Sequence, residues 1–423
     1  MSDDRRQDER QGEQQSRRQG GERQAERQGG EREVELQGER QGGERRRTAI
    51  VAGGGIGGLA TAIALISRGW QVDVLEKAPA FGEVGAGLSL WPNGVRALDA
   101  LGLGDQVRAR ALVETQGGIR NPTGRWLSRT DVEELNRRFG PLVMMHRADL
   151  LEVLRNAVPA GALHVDTELK DIRVDGKQVE VVHSNGVARA DLLVGADGIH
   201  SRVRRSVWRD APEPAYAGYT AWRLVADPDQ KIDSGGETWG RGLRVGFAPL
   251  PDGRVYMFGV ATAPAGGHSA DGELAELRRI FATWHDPIPA LLQAADADAV
   301  MRHDIYELPP LASFVSGRVA LVGDAAHAMT PNMGQGANQA LEDAVTLAAF
   351  LDRNATVEAA LTAYDANRRP RAQMIAKRSH LIGAVAQWSW GPAVKLRETA
   401  LRLTPASSMF RALTPVLNWQ PPT

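Results

Sequence analysis

A glycine-rich segment directly after a short apolar run constrains this chain more than any other feature. The run TAIVA begins at Thr48, and GGGIGG occupies Gly53 to Gly58. A short apolar run that ends in glycines predicts a buried strand, and the spacing of apolar residues after it predicts a helix from Gly57 to Arg68. Gly69 is placed to end that helix. Strand, glycine turn and helix in this order are typical of a Rossmann-like unit.

The same segment contains one G-x-G-x-x-G arrangement, in which each glycine has a physical reason. One makes a tight turn, one lets the backbone approach a pyrophosphate, and one lets the helix pack on the strand. The second apolar run, WQVDVLE, ends in Glu76 about 20 residues later, where a carboxylate can accept hydrogen bonds from a ribose diol. The alternative is a purely structural turn. We expect a dinucleotide site that includes Gly53, Gly55, Gly57, Gly58, Glu76 and Lys77.

Two later motifs each follow an apolar run. VGADGIHSRVR places Asp197 before a basic helix start, and its simplest interpretation is an aspartate that caps the helix. LVGDAAHAMTPNMGQGANQALEDA places Asp324 at the carboxyl end of a predicted strand, where ligands bind in open α/β sheets. The glycines after Pro331 open a helix whose N-terminus would stabilise nearby negative charge.

Composition excludes several kinds of site and partner. The absence of cysteine excludes disulfides, thiolate metal sites and cysteinyl-linked flavin. The 51 basic and 52 acidic residues give no overall field that would attract nucleic acid or an anionic membrane, so a small-molecule partner is expected. No bound metal is expected. The chain shows no apolar signal core and no apolar run of about 18 residues, which predicts a cytoplasmic protein without an integral membrane span.

The pattern also changes along the chain. Residues 1–47 are a low-complexity tract in which RQGGER occurs three times, and we expect this tract to be disordered, with a partner-binding arm as the alternative. Asp175-Gly176 and Asn185-Gly186 predict two hairpin turns in a β meander. Residues 216–260 predict a separate sheet, and the chain is helical from about residue 355 onward.

Together, GGGIGGLA, VGADGIHSRVR and LVGDAAHAMTPNMGQGANQALEDA resemble the class A flavoprotein monooxygenases, which include p-hydroxybenzoate, salicylate and urate hydroxylases and zeaxanthin epoxidase. The resemblance extends over residues 48–380. It implies an α/β fold in which a Rossmann-like FAD-binding domain is interleaved with a substrate domain on a mostly antiparallel sheet, followed by C-terminal helices. The implied FAD-binding domain is 48–120, 146–212 and 300–370, the substrate domain is 121–145 and 213–299, and the C-terminal region is 371–423.

The resemblance also implies roles for individual residues. Glu76 would bind the adenosine ribose, Arg147 the FAD near its ribityl and pyrophosphate groups, and Asp324 the ribityl chain. Asp197 would serve both FAD and NAD(P)H. The segment from Gly82 to Gly87 would lie near the flavin ring. The flavin pyrimidine edge would be bordered by Pro331, Gly334, Gln335, Gly336, Ala337 and Asn338.

The implied activity consumes NADH or NADPH and dioxygen. Non-covalent FAD would be reduced, would form a C4a-hydroperoxide, and would hydroxylate a small aromatic or heteroaromatic substrate. Pro331 and Arg223 are the predicted catalytic residues, with Arg223 aimed at the flavin or substrate if its strand faces inward and at solvent if it does not. His327 is assigned a supporting role in preference to that of a general base. Met257 and Phe258 could line the pocket or belong to the core.

Other functions remain open at this stage. Epoxidation of an alkene or polyene is the nearest alternative, and a catalytically silent flavoprotein that binds a partner is the alternative of a different class. A halogenase is rejected, since Trp388-Ser389-Trp390 lacks the isoleucine of W-x-W-x-I-P and lies near the C-terminus.

The apolar residues of the C-terminal region are expected to pack on the protein itself, with an amphipathic membrane contact as the alternative. A monomer or homodimer is expected.

Overall fold

The computed structural model describes residues 46–82 and 86–422. The predicted disordered tail therefore lies outside the described residues, apart from Arg46 and Arg47. Part of the predicted flavin-ring segment, residues 83–85, lies outside them as well.

A six-stranded sheet begins with the first predicted strand. Thr48–Ala52 is buried throughout and pairs in parallel with Gln71–Leu75 on one side and Leu192–Gly195 on the other. Because these strands are parallel, their carboxyl ends meet at one edge of the sheet. The strand order is Val315–Ser316, Val319–Leu321, Leu192–Gly195, Thr48–Ala52, Gln71–Leu75, Leu163–His164.

Helices cover this sheet, and two of them pack closely because small residues lie where they touch. Ile56–Ile66 packs against Gly336–Arg353, where an added Cβ at Gly57 would lie 3.3 Å from the Cβ of Ala340. The α-helices of the described chain are Ile56–Ile66, Pro92–Ala100, Gly104–Arg108, Val132–Phe139, Arg147–Ala157, Arg202–Val207, Glu273–Phe281, Ile288–Gln293, Asp324–His327, Gly336–Arg353, Val357–Ala386, Gly391–Leu403 and Ala406–Leu417. Short 3-10 turns occur at Ala160–Ala162, Ala297–Ala299 and Pro331–Met333.

A seven-stranded sheet forms the second layer and is mostly antiparallel. On its long strand, Trp222 and Leu224 point into a core closed by the helices Glu273–Phe281 and Ile288–Gln293. Arg223 therefore lies on the opposite face, as strand alternation requires. The strand order is Met301–Glu307, Ala215–Ala226, Val255–Thr262, Leu243–Pro249, Gly236–Trp239, Gly117–Arg120, Trp126–Thr130.

The predicted β meander is confirmed. Leu169–Val174, Val179–His183 and Gly186–Ala190 pair in antiparallel order, and Gly176 has a positive φ of 81° in the first turn. A further three-stranded sheet contains Gly87–Leu90, Val143–His146 and Leu112–Val113.

The α/β fold and the separate, mostly antiparallel sheet agree with the prediction. The domain boundaries stay a prediction. Two strands near those boundaries, Gly117–Arg120 and Met301–Glu307, pair within the seven-stranded sheet, although the predicted ranges assign their residues to the FAD-binding domain.

The C-terminal helices divide the aromatic residues into two groups. Phe410 and Trp419 are buried against the protein, whereas Trp390 is 71% exposed. Over the described residues, none of the helices combines the length and the apolar character that a membrane crossing requires.

A buried ion network joins the two longest helices. Arg368 is fully buried and donates to Asp343 at 2.7 Å and to Glu342 at 2.5 Å. Burial opposes the charge of Arg368, but the two carboxylates raise its pKa above the usual value. Arg371 also donates to Glu342, at 2.7 Å. Each buried charge thus has a partner of opposite sign, which is the condition under which buried ions are tolerated.

We predict that Arg368→Ala lowers the free energy of unfolding by about 3 to 5 kcal/mol, because it leaves two buried carboxylates without their shared cation. The matched control is Arg369→Ala. Arg369 pairs with Asp365 at a partly exposed i, i+4 position, and the control should lose about 1 kcal/mol or less. Urea unfolding of both variants measures the difference. Equal losses in the two variants would contradict the assigned role of the network.

Candidate functional site

The candidate site lies at the carboxyl edge of the six-stranded sheet. Gly53 has a φ of 107°, and an added Cβ would lie 2.4 Å from the carbonyl oxygen of Ala196. At Gly58 an added Cβ would lie 1.9 Å from the carbonyl oxygen of Gly53. Only glycine fits these two positions. By contrast, an added Cβ at Gly55 meets no atom within 4 Å, so the turn is tight inside and open outside.

Glu76 stands beside the open side of this turn. Its carboxylate accepts the backbone N–H of Gly54 at 2.7 Å and that of Ala78 at 2.9 Å. Each carboxylate oxygen has capacity for a further hydrogen bond, so a ribose diol can still be accepted. Lys77 is exposed next to it.

Asp197 is engaged within the protein. One oxygen accepts the Ser201 hydroxyl at 2.5 Å, and the other accepts the backbone N–H groups of Arg202 at 2.7 Å and Val203 at 3.1 Å. This is the helix-capping arrangement that the sequence also suggested. Its predicted contact with FAD and NAD(P)H stays a prediction.

Asp324 follows the strand Val319–Leu321 and is exposed at the sheet edge. Asp324 interacts electrostatically with Arg147. Burial lowers the pKa of Arg147, and the negative charge of the Asp324 carboxylate acts to raise it. Arg223 and Tyr256 are the other groups that interact with Arg147. We call these four residues, Arg147, Arg223, Tyr256 and Asp324, the cleft cluster.

The cleft cluster joins the two large sheets. Arg223 and Tyr256 lie on neighbouring strands of the seven-stranded sheet and share its non-core face, while Asp324 comes from the edge of the six-stranded sheet. Burial raises the pKa of the Tyr256 phenol, opposed by the charges of Arg223 and Arg147. Burial and Arg223 also lower the pKa of His303, which lies on the adjacent strand. The guanidinium groups of Arg147 and Arg223 thus lie close enough to affect each other electrostatically, and Asp324 is the one carboxylate among the four residues.

The loop after Pro331 exposes part of its backbone and buries two of its polar side chains. Pro331 and Gly334 are exposed, and Gly334 adopts a left-handed conformation with φ of 60°. The side chains of Gln335 and Asn338 turn inward and are almost wholly buried. These two residues can therefore serve a ligand through the backbone, together with Gly336 and Ala337 at the helix start, and not through their amides.

The two inward amides attach this loop to the neighbouring helix start. Asn338 accepts the backbone N–H of Trp91 at 3.0 Å and donates to the carbonyl groups of Ser89 at 3.2 Å and Gly334 at 2.8 Å. The Gln335 amide oxygen accepts from Asn93 at 2.9 Å. The loop conformation is consequently fixed by the protein before any ligand binds.

His327 has the supporting position that the sequence suggested. Its Nε2 lies 2.6 Å from Asp343, whose same oxygen accepts the backbone N–H of Gly323 at 2.9 Å. Burial works against ionisation of Asp343, but His327 and Arg368 hold its pKa below the usual value. His327 is buried, with its ring centre 5.7 Å from that of the core residue Phe314, so its geometry gives no support to a role as general base.

Strand register decides which residues line the cleft. Phe258 lies opposite Arg223 and shares its face, whereas Met257 is fully buried in the core on the other face. Of the two pocket candidates, Phe258 is therefore placed in the cleft and Met257 is core.

Three residues that were not assigned a role also reach this region. Arg244 lies on the face of Arg223, is buried, and places its guanidinium 5.5 Å from the ring centre of Tyr219. The Tyr219 hydroxyl accepts from Asn332 at 3.0 Å. Asn332 lies in the loop after Pro331, so these contacts join the seven-stranded sheet to that loop. No local signal marks Arg244, because its facing depends on which side of the sheet the later helices Glu273–Phe281 and Ile288–Gln293 cover.

Comparison with known proteins identifies the family. A model described as "FAD binding domain" matches residues 46–379. An aurachin C monooxygenase/isomerase of Stigmatella aurantiaca is 41% identical over 362 residues, covering 84% of this chain and 94% of that protein. An FAD-dependent urate hydroxylase of Klebsiella pneumoniae is 36% identical over 337 residues, covering 76% and 86%. The crystal structure of Klebsiella pneumoniae HpxO with FAD and uric acid matches with a TM-score of 0.83 and 31% identity, covering 88% and 97%. The chain therefore belongs to the FAD-binding domain family of flavin-dependent monooxygenases.

Proposed function

We propose that the cleft cluster is the active site for hydroxylation of a small aromatic or heteroaromatic substrate. The observation that carries the proposal is that Arg223 and Tyr256, on one face of the seven-stranded sheet, and Asp324, at the carboxyl edge of the six-stranded sheet, all interact with Arg147 at the start of the helix Arg147–Ala157. The net reaction takes substrate, dioxygen, NAD(P)H and a proton to hydroxylated substrate, NAD(P)⁺ and water. The urate and salicylate hydroxylases among its relatives support a ring-containing substrate.

The residues present fit FAD. The open outer side of Gly55, at the start of an 11-residue helix, suits a pyrophosphate, since backbone N–H groups and the helix dipole stabilise its charge. Glu76 would accept the adenosine ribose hydroxyls, and Asp324 those of the ribityl chain. Gly336, where an added Cβ meets no atom within 4 Å, begins the 18-residue helix, and its backbone N–H would face the flavin ring. Bound FAD supplies hydride acceptance from NAD(P)H and activation of dioxygen.

The protein's own contribution is charge and orientation. Arg147 and Arg223 are cations in a partly desolvated cleft, where they stabilise negative charge more strongly than in water. Arg223 would hold an anionic or carbonyl group of the substrate, and the rings of Tyr256 and Phe258, with centres 6.2 Å apart, would border its flat face. Pro331 and Gly334 would close the opposite side and limit access of water.

The glycine turn provides a paired test of the FAD site. Gly58→Ala should lower the free energy of unfolding of the FAD-stripped protein by about 3 kcal/mol, because the added methyl group overlaps the Gly53 carbonyl. Gly55→Ala should leave that stability nearly unchanged but weaken FAD binding by about tenfold or more, since its methyl group would occupy the space of the phosphate. Urea unfolding and FAD titration measure the two effects. Normal FAD affinity in Gly55→Ala would place the phosphates elsewhere.

The function itself is tested by product analysis. A panel of phenols, purines and polyketide-like rings should contain compounds that stimulate NAD(P)H oxidation and gain one oxygen atom from ¹⁸O-labelled dioxygen. Label found in an epoxide, with no hydroxylated ring among the products, would contradict aromatic hydroxylation.

Arg223→Ala should retain FAD, because the substitution leaves the proposed anchors at Gly53 to Gly58, Glu76 and Asp324 unchanged. We expect flavin reduction to slow, or more hydrogen peroxide to form per NAD(P)H consumed, since misplacement by about 1 Å can cost on the order of a hundredfold in rate. Arg173→Ala, on the exposed meander, is the control. Wild-type reduction rate and coupling in Arg223→Ala would remove Arg223 from the active site.

A further inference from the structure

The helix Gly391–Leu403 exposes an apolar face that its own fold does not cover. Leu396 is 65% exposed and Leu403 is 76% exposed, and the preceding Trp390 is 71% exposed. The two leucines are seven residues apart, so they lie on the same side of the helix. We call Leu396 and Leu403 the outer apolar face, and Trp390 lies exposed just before the helix begins.

The inner face of this helix is held by a charged residue. Arg397 is 2% exposed and donates to the carbonyl groups of Ala386 and Gly240, both at 2.7 Å. Burial lowers the pKa of Arg397. Val394 is buried on the same side. A surface helix normally turns leucines inward and arginines outward, and here the arrangement is reversed. Because Arg397 fixes the helix, its leucines cannot rotate into the protein core.

Charge is distributed unevenly around this face. Residues 371–423 contain seven Lys and Arg residues and one acidic residue, Glu398, although the whole chain has a net charge of −1. Arg371 and Arg397 are engaged inside the protein and Arg402 pairs with Glu398 at 3.1 Å, whereas Lys377, Lys395 and Arg411 are exposed. Lys395 and Arg402 are exposed on the helix itself, and Arg241 is exposed where it donates to the carbonyl group of Ser389 at 3.1 Å. The near-neutral total therefore conceals a local basic surface.

We propose that the outer apolar face docks on the surface of an anionic lipid bilayer, with the helix lying in the plane of the interface. Leucine and tryptophan side chains would enter the headgroup boundary, where tryptophan is favoured, and the surrounding cations would pair with anionic headgroups. A second copy of the chain fits less well, because a symmetric contact would bring the same basic residues of two copies together.

This surface adjoins the proposed active site. The Gly242 N–H donates to the carbonyl group of Trp388 at 3.0 Å, and Arg244 donates to Gln387 at 2.9 Å. The segment from Gln387 to Trp390 thus connects the Arg244 side of the cleft to the outer apolar face. Docking would place that side of the cleft at the lipid surface.

The test uses the full-length, FAD-loaded protein and sedimentation with vesicles. Wild-type protein should sediment with an equal mixture of phosphatidylcholine and phosphatidylglycerol, and less with phosphatidylcholine alone or at raised salt. The double variant Leu396→Gln, Leu403→Gln should bind about tenfold more weakly. Lys395→Gln with Arg402→Gln should remove the preference for phosphatidylglycerol. The matched control is Leu112→Gln with Val113→Gln, which alters two exposed apolar residues on a strand of the three-stranded sheet. This control should bind like wild type.

Three outcomes would overturn the proposal. They are absence of wild-type binding, equal binding by wild type and the leucine variant, and self-association in light scattering that the leucine substitutions abolish without any effect of vesicles. The measurement needs no turnover, so its result is independent of whether the proposed hydroxylation is correct.

Discussion

The Asp343 carboxylate holds together the elements on which the rest of the site depends. One of its oxygens accepts the Gly323 N–H and bonds His327, and the other accepts from Arg368. These partners belong to a strand end, the following short helix and a long C-terminal helix. Because Gly323 directly precedes Asp324, a carboxylate buried in the helix layer sets the position of the exposed carboxylate at the sheet edge. Buried ions are a costly way to join helices, and in some proteins their benefit is that they select one arrangement of the packed elements.

A second constraint is the register of the seven-stranded sheet. Alternation along one strand sends Trp222 and Leu224 into a core and Arg223 into the cleft. A shift by one residue would exchange these faces and place a guanidinium in an apolar core. The core behind the sheet therefore also orients the groups in front of it, and the position of Arg223 is determined by packing on the side that it does not touch.

The sequence predicts the features whose causes are local. The glycines at Gly53 and Gly58, the hairpin turn at Gly176 and the carboxylate at a strand end all follow from conformation or spacing within a few residues. The facing of Arg244 and Phe258 could not be predicted, because it depends on which side of the sheet is covered by the later helices Glu273–Phe281 and Ile288–Gln293. Gln335 and Asn338 show the same limit, since their motif suggests ligand contact while tertiary contacts turn both amides inward.

Polar groups around the cleft fall into two sets: those bonded within the protein and those that can still bond a ligand. The Asp197 carboxylate and the amides of Gln335 and Asn338 are engaged by backbone or buried side chains, so they fix the shape of the loops. The Asp324 carboxylate is exposed, and the carboxylate of Glu76 retains acceptor capacity beyond its two backbone bonds. A ligand that binds the folded protein then meets groups already oriented, and less of its binding energy is used to order them. The rigid engagement of the first set is what makes the second set effective.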